Sequence, residues 1–583
     1  MLIDSPPAVV VQDGDHWLHF SNPVRVVAAE ATEDVLPALR RVVDAVEGQG
    51  LHAAGFISYE AAPAFDAACT VRPLDQLPLL WFGLYRMPEI WERLPAGGLY
   101  TLGDWRPSQQ IDAYRRAIAD IKEAIARGDT YQVNYTMALH AAWRGDPWGL
   151  FVDLANAQRG GYAAYLDLGQ HVICSASPEL FLDIDGDRVL SKPMKGTAPR
   201  GRTLEEDRAR VAALRASAKD QAENIMIVDM IRNDLGRIAR FGSVHVPSLL
   251  AVERYPTVLQ MTSTVEARSE APVDAILAAL FPCASITGAP KVRTMQLIAR
   301  LEGRPRGVYT GAIGYLSPGR RARFNVAIRT VVIDRPAGQA SYGVGSGIVW
   351  DSDADAEYEE CLLKAQVLAR RFPDFELLET MRWMAAEGVA RLERHLARLT
   401  GAAEYFGFVV DLDAARRRLA ELDPAVLPDP ARLRLLAGRR GELRLEVHPL
   451  QRPAEAAKVR LGLAREAVDV DDVFLYHKTT HRFVYEQARA ARPDCDDVLL
   501  WNTRGELTEA TTANVVCLLD GRLATPPLSS GLLAGVLRAE LLEAGVVQEQ
   551  VLTVDDLARC QVIYLVNSLR GWREAVWIDQ AAG

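Results

Sequence analysis

Cysteine is scarce and unpaired in this chain. Seven occur in 583 residues, at positions 69, 174, 283, 361, 495, 517 and 560, and no two form a C-x-x-C pair. That scatter excludes a disulfide framework or a zinc ribbon and points to reduced thiols in a cytoplasmic protein. An excess of basic charge is missing as well. The formal net charge is −10, which argues against nucleic acid as the main partner while leaving room for a local basic pocket. No window holds about 18 uncharged apolar residues, so no membrane span is expected. The opening stretch MLIDSPPAVV lacks a basic region followed by an apolar one, and no secretory leader is expected from it. Fixed-period repeats and long low-complexity runs are absent too.

What is present is an ordinary globular composition, 49% hydrophobic and 24% charged. A chain this long exceeds one hydrophobic core, so two or more domains are expected. The clearest break is RRFPDFELL, 370–378, where Pro373 stops the helical run AEYEECLLKAQVLARRF. This divides the chain into 1–373 and 374–583. A looser boundary lies near GDWRPSQQID, 103–112, ahead of a helix from about Ile111 to Arg127. FLDIDGDRVLSKPMKG reads as a hairpin turning at Asp185-Gly186. TLEEDRARVAAL opens a helix with a capping box, Thr203 with Glu206. ENIMIVDMIRNDLGRIARFG continues as helix to Gly242, and FNVAIRTVVID with ASYGVGSGIVW reads as a second hairpin. Strands in hairpins and helices in separate blocks define an α+β fold with large antiparallel pairing.

Several residues are candidates for chemistry. Glu357 and Glu360 are three apart on one helix, Lys364 follows one turn later, and Glu223 lies on another helix. Each alone reads as a solvated face. Carboxylates from two helices could also hold Mg²⁺, which takes oxygen ligands. Thr287, in the small-residue loop CASITGAPK, lies beside free N–H groups at a helix start; the alternative is a tight structural turn. Arg329 is expected on a strand face shared with Asn325 and Ala327, with room to fork a carboxylate. The backbone of GVGSG, 343–347, could admit a ligand closely or simply bulge. Lys195, in KPMKGTAPRG, sits beside apolar and glycine-rich backbone, where an amine can lose its proton and act as a nucleophile. Glu179, across the hairpin, is a candidate acid or base.

The stretches SASPELFL, KPMKGTAPRG, ENIMIVDMIRNDLGRIA, FPCASITGAPKVRTMQLI, GVYTGAIGYL, FNVAIRT and GSGIVWDSDADAEYEECLLKA resemble, in order across about 110–370, the chorismate-utilising enzymes. The P-x-K-G-T form around Lys195 is similar to the aminodeoxychorismate synthase branch, whereas the anthranilate branch carries alanine there. The resemblance implies that the Lys195 amine adds to C2 of chorismate and expels the 4-hydroxyl, with Glu179 as general acid. It implies Mg²⁺ held by Glu223 and Glu360 with Glu357 nearby. It also implies that Tyr309, Arg329 and the Gly345-Ser346-Gly347 backbone hold the pyruvyl end, and that Thr287 lines the pocket. Relatives often carry a histidine where Gln260 stands, so pyruvate elimination in this part is disfavoured. No G-x-C-x-G elbow appears, which implies ammonia supplied by a separate glutamine amidotransferase subunit. Whether GFISYEAA, near 55–62, frames a regulatory pocket stays open.

In the second part, LYHKTTHRFVYEQAR, the strand-like run 496–527 and GLLAGVLRAELLEAG together resemble the fold-type IV pyridoxal-phosphate enzymes, in particular the aminodeoxychorismate lyase branch. The resemblance implies an α/β domain in which Lys478 forms a Schiff base with pyridoxal 5'-phosphate and Glu509 pairs with its ring nitrogen. Arg398 and the backbone at Gly535, Val536 and Leu537 would hold the phosphate, and a homodimer through this domain would follow. The expected activity is amination of chorismate followed by pyruvate elimination to 4-aminobenzoate. The alternatives are an anthranilate-type first part, or a second part that is an aminotransferase or a catalytically silent module.

Overall fold

The computed structural model describes residues 8–74, 76–365, 368, 373–451 and 458–579. It divides into two compact units, one of Met1–Pro199 with Val211–Phe372, the other of Arg200–Arg210 with Pro373–Gly583. A single cut at 373 does not capture this. Arg200–Arg210 belongs with the second unit, folded around the ion pair of Arg200 with Asp207.

In the first unit an 11-stranded and a 10-stranded sheet are stacked. The period of two along each strand builds the layers. In Tyr162–Asp167, Ala164 and Leu166 join a core shared with Ala54, Phe56 and Ile313 of the other sheet. Their neighbours Ala163 and Tyr165 face the helices Ile111–Ala126 and Pro147–Gln158. On the outer face of the 10-stranded sheet, Ile227, Val228, Ile231 and Leu235 of helix Ala218–Gly236 pack with Val35 and Leu39 of helix Thr32–Gln49. The result is helix, sheet, sheet, helix, with antiparallel pairing throughout both sheets, in keeping with the expected α+β class.

The first hairpin forms as read, Leu180–Asp185 with Arg188–Lys192, turning at Gly186 with φ 59°. The Thr203 hydroxyl caps its helix by accepting from the Glu206 N–H at 3.2 Å. Three readings change. The helix expected to run to Gly242 ends at Gly236. FNVAIRTVVID is not one strand: Arg321–Val326 belongs to one sheet and Thr330–Asp334 to the other. Arg329 lies in the crossing between them at φ 51°, not on a strand face, because the chain changes sheets there. Most of the expected helix beyond Ala365 lies outside the described residues.

The second unit has a four-stranded antiparallel sheet bearing helix Leu392–Phe406 and an eight-stranded mixed sheet. Among the described residues no helix is long and apolar enough to cross a membrane.

A buried ion pair fixes the floor of the first unit. Arg306 and Glu302 side chains are 1% and 4% exposed and meet at 2.7 Å. Glu302 also accepts from Thr136 N, while Arg306 donates to the carbonyls of Ile286 and Asn134. The pair therefore ties the strand Gln132–Gly145 to the loop that carries Thr287. Glu302→Ala would strand a buried guanidinium and should destabilise this unit by about 3 to 5 kcal/mol. Chemical denaturation followed by tryptophan fluorescence measures this, and a loss under about 1 kcal/mol would refute the role.

Candidate active sites

Lys195 sits in a β-bulge. Met194 pairs with Thr262 and Thr197 with Gln260, and the register shifts between them. The extra residue re-aims the side chain. Gly196 takes φ 93°, a value that suits glycine. Asn224 donates to the Lys195 carbonyl at 3.3 Å and Gln260 to the Gly196 carbonyl at 3.0 Å. Gln260, the departure noted in the sequence, thus holds the bulge in place.

The bulge aims the amine at the strand Gln339–Ile348. A Cβ added to Gly347 would lie 3.2 Å from Lys195 Nζ, and one added to Gly343 would lie 2.2 Å from the Tyr309 ring. Alternate residues of a strand share a face, so Tyr309 and Lys195 lie over the same glycine row. Ser346, between them on the opposite face, meets Tyr114 Oη at 3.3 Å. Burial lowers the Lys195 pKa below the ordinary amine range; Glu223, Glu179 and Glu360 oppose the shift and Lys364 adds to it.

Glu179 is 3% exposed. Burial pushes its carboxyl up to about 7, against the Ser285 hydroxyl, the Lys195 charge and the Met194 N–H. One of its oxygens, Oε1, has no hydrogen-bond partner. Glu223 is also raised by burial, and its Oε2 accepts from Gln132 Nε2 at 3.3 Å. Glu357 is buried and accepts from the Ser352 hydroxyl at 2.7 Å. Glu360 is exposed and pairs with Lys364 at 2.7 Å. Partial desolvation of its carboxyl works to raise Glu360, but the Lys364 charge and hydrogen bond leave it lowered. Among the described residues no three such carboxylates converge into a metal-binding group.

The Thr287 hydroxyl is spent on the carbonyls of Cys283 and Ala284, each at 3.2 Å. Arg329 Nη1 donates to the Lys364 carbonyl, and Lys364 Nζ to the Gly345 carbonyl at 2.9 Å. Lys364 therefore joins Arg329, Gly345 and Glu360, although in the sequence it read only as a helix neighbour. Gln132 and Asn224 had no signal in the sequence, since their contacts come from pairings distant along the chain, whereas Ser285 belongs to the small-residue loop already read as a candidate anion site.

In the second unit Lys478 lies between the turn Val473–Leu475 and helix Phe483–Ala491. Burial, helped by Arg398 and Arg482, lowers its amine to about 8, with Glu379 and Glu509 opposing. Glu509, 4% exposed, is raised to about 7 by burial. It accepts from Tyr485 Oη at 2.8 Å, Leu533 N at 3.1 Å and Asn514 Nδ2 at 3.2 Å. Arg398 forks onto Glu379 at 2.8 and 2.7 Å and reaches the Ala534 carbonyl at 3.2 Å. That last contact sets it beside the start of helix Val536–Glu543, capped by Gly535. A Cβ on Gly535 would fall 1.9 Å from Asn514 Oδ1, so only glycine fits there. Burial of Glu379 is overcome by Arg398 and His395, which bring it down to about 2. Tyr485, Asn514, Glu379 and His395 had no signal in the sequence reading.

A family model described as chorismate binding enzyme matches residues 92–370. Anthranilate synthase component 1 of Methanothermobacter marburgensis is 35% identical over 347 residues, covering 54% of this chain and 73% of that protein. Aminodeoxychorismate synthase of Streptomyces griseus is 46% identical over 283 residues, 48% of this chain and 39% of its own length. Aminodeoxychorismate synthase component 1 of Escherichia coli K12 is 41% identical over 275 residues, 47% of this chain and 60% of its own length. The chain belongs to the chorismate-binding enzyme family. Its residues 376–578 match a second model, amino-transferase class IV. The chain spans 39% and 60% of the two aminodeoxychorismate synthases, less than two thirds of either.

The Lys478 amine should be modified by a small acylating reagent with a midpoint near pH 8, because only the neutral amine reacts. Competitive labelling with peptide mass mapping reads this out. A midpoint at the ordinary lysine value of about 10.4 would contradict it.

Proposed function

We propose that the first unit replaces the 4-hydroxyl of chorismate with an amino group and that the second eliminates pyruvate to release 4-aminobenzoate. The observation that carries the proposal is a lysine amine depressed by burial, aimed at a glycine-lined strand and coupled to Glu179 and Glu223. Neutral Lys195 Nζ bonds to C2 of the ring as the C4–O bond breaks, and Glu179 gives its proton so the hydroxyl leaves as water. Ammonia then bonds to C4 and expels Nζ, and its excess proton returns to Glu179. Atoms and charge balance over the two steps, and each barrier is lower than one direct displacement. The glycine backbone at 345 and 347, with Tyr309 and Arg329, would hold the enolpyruvyl carboxylate, and Thr287 would close the loop side of the pocket.

Glu223 and Glu360, with Glu357 nearby, are hard oxygen donors of the kind Mg²⁺ takes one or two of, the rest of its shell coming from substrate oxygen and water, so no three-carboxylate cluster is needed. Bound there, the ion would neutralise the ring carboxylate. A separate glutamine amidotransferase subunit would supply the ammonia. Gln260 cannot titrate near neutral pH and is committed to the Gly196 carbonyl. This speaks against a first unit that eliminates pyruvate as an anthranilate synthase does.

The second site suits pyridoxal 5'-phosphate: a half-buried amine, a buried carboxyl and a guanidinium beside a glycine-led helix start. When bound, the cofactor supplies an electron sink for elimination. Lys478 would hold it and move protons at the amino-bearing carbon. Glu509 would meet the ring nitrogen, and Arg398 with the N–H groups of Val536 and Leu537 would grip the phosphate.

Chorismate, ammonium and Mg²⁺ with the purified chain should yield 4-aminobenzoate. Lys195→Ala should abolish the first step, and Lys478→Ala should let 4-amino-4-deoxychorismate accumulate, both read by liquid chromatography. Full amination by Lys195→Ala would refute the covalent role. Because the acid must be protonated, amination should fall as pH rises through about 7. Glu179→Gln should cost about 10²- to 10⁴-fold and flatten that limb; an unchanged pH profile would remove Glu179 as the acid.

A further inference from the structure

We infer that His477 is a positioning residue for Lys478, locked in place by the segment Arg200–Arg210 of the same unit. This rests on the reading of Lys478 as the cofactor-holding lysine.

The segment is built around one ion pair. Arg200 Nε meets Asp207 Oδ1 at 2.6 Å, with side chains 7% and 0% exposed. The same carboxylate oxygen accepts from Gly201 N at 3.1 Å, and a Cβ at Gly201 would lie 2.2 Å from Asp207 N. Arg210 donates to the Arg200 carbonyl at 2.6 Å, drawing the two ends of the segment together. The loop thus has one compact shape that only glycine at 201 permits.

That shape grips Tyr405. Arg200 Nη2 donates to the Tyr405 carbonyl at 2.6 Å, and its guanidinium lies 4.3 Å from the ring centre. Tyr405 Oη donates to the Gly201 carbonyl at 2.6 Å. The other face of the contact is His477, stacked on Tyr405 at 4.1 Å and 27°, with the Phe406 ring edge-on at 4.9 Å. His477 Nε2 lies 3.1 Å from the Arg202 carbonyl. A carbonyl only accepts, so Nε2 carries the proton and the tautomer is fixed. Burial keeps the ring neutral, with a pKa near 4.

The consequence falls on the next residue. On its C-terminal side the lysine is tied to the strand Leu377–Met384: the Lys478 carbonyl accepts from Leu378 N at 3.0 Å, and Thr479 bridges Leu377. On its N-terminal side the adjacent hold is His477, by one hydrogen bond and two ring contacts, with Tyr476 anchored behind it to the Val473 and Val470 carbonyls. Without that hold the lysine backbone is fixed on its N-terminal side only two residues away, through Tyr476, and its amine samples more directions. A misplaced catalytic amine lowers turnover more than substrate affinity.

The test uses the full chain loaded with pyridoxal 5'-phosphate. His477→Phe keeps a stacking ring and removes the N–H, and His477→Gln restores a donor at the same reach. For His477→Phe we expect kcat for pyruvate release from 4-amino-4-deoxychorismate to fall about tenfold, with KM little changed. Amide hydrogen exchange in the peptide around 476–480 should rise, and His477→Gln should recover most of both. Exchange is read on the cofactor-free chain as well, so it reports on the clamp even if no cofactor binds; absence of any cofactor band in the unmodified chain would refute the underlying reading instead. If His477→Phe folds and matches the unmodified chain in exchange and kcat, the inference is overturned. Should that variant fail to fold, Tyr405→Phe, which loses only the Gly201 hydrogen bond, is expected to give a smaller change in the same direction; no change there would overturn it.

Discussion

Both sites depend on taking a lysine amine out of water while keeping carboxylates within electrostatic reach. Desolvation alone would discharge the amine; the neighbouring glutamates limit how far it falls. The same burial raises Glu179 and Glu509 to about 7, so that proton donors survive at neutral pH beside amines able to act as nucleophiles. One physical effect acts on acid and base together, lowering both amines and raising both carboxyls.

The fold supplies what that effect requires. In the first unit the bulge at Lys195–Gly196 directs the amine toward the glycines of Gln339–Ile348, and the buried Glu302–Arg306 pair keeps that strand's neighbour in register with the Thr287 loop. In the second, Asn514 links Glu509 to the glycine that starts helix Val536–Glu543, contacting Glu509 and the Leu533 carbonyl at once. Each of these groups is thereby fixed by backbone from a different element, the condition for a site that holds its shape before a ligand arrives.

How much of this was legible in the sequence follows from which interactions are local. The hairpin at Gly186, the capping of Leu204–Ala216 and the α+β class were readable because turn chemistry and short-range periodicity determine them. Lys195 stood out because glycine and proline flank it. The bulge that aims it did not, since it exists only relative to the distant strand Val258–Arg268. Alternation carried the reading straight through Arg329, where the chain in fact crosses between sheets at positive φ. The apolar spacing of Arg237–Phe241 suggested more helix than forms. The assignment of Arg200–Arg210 to the second unit was illegible because its partners, Tyr405 and His477, lie far along the chain.

The central claim is that nitrogen 195 becomes covalently joined to the ring. The most direct measurement is intact-protein and peptide mass spectrometry of the chain incubated with chorismate and Mg²⁺ in the absence of ammonia. The account predicts a mass gain of one chorismate less one water, confined to the peptide containing Lys195. Turnover of chorismate on later addition of ammonium, with that peptide never modified under any quench condition, would contradict it.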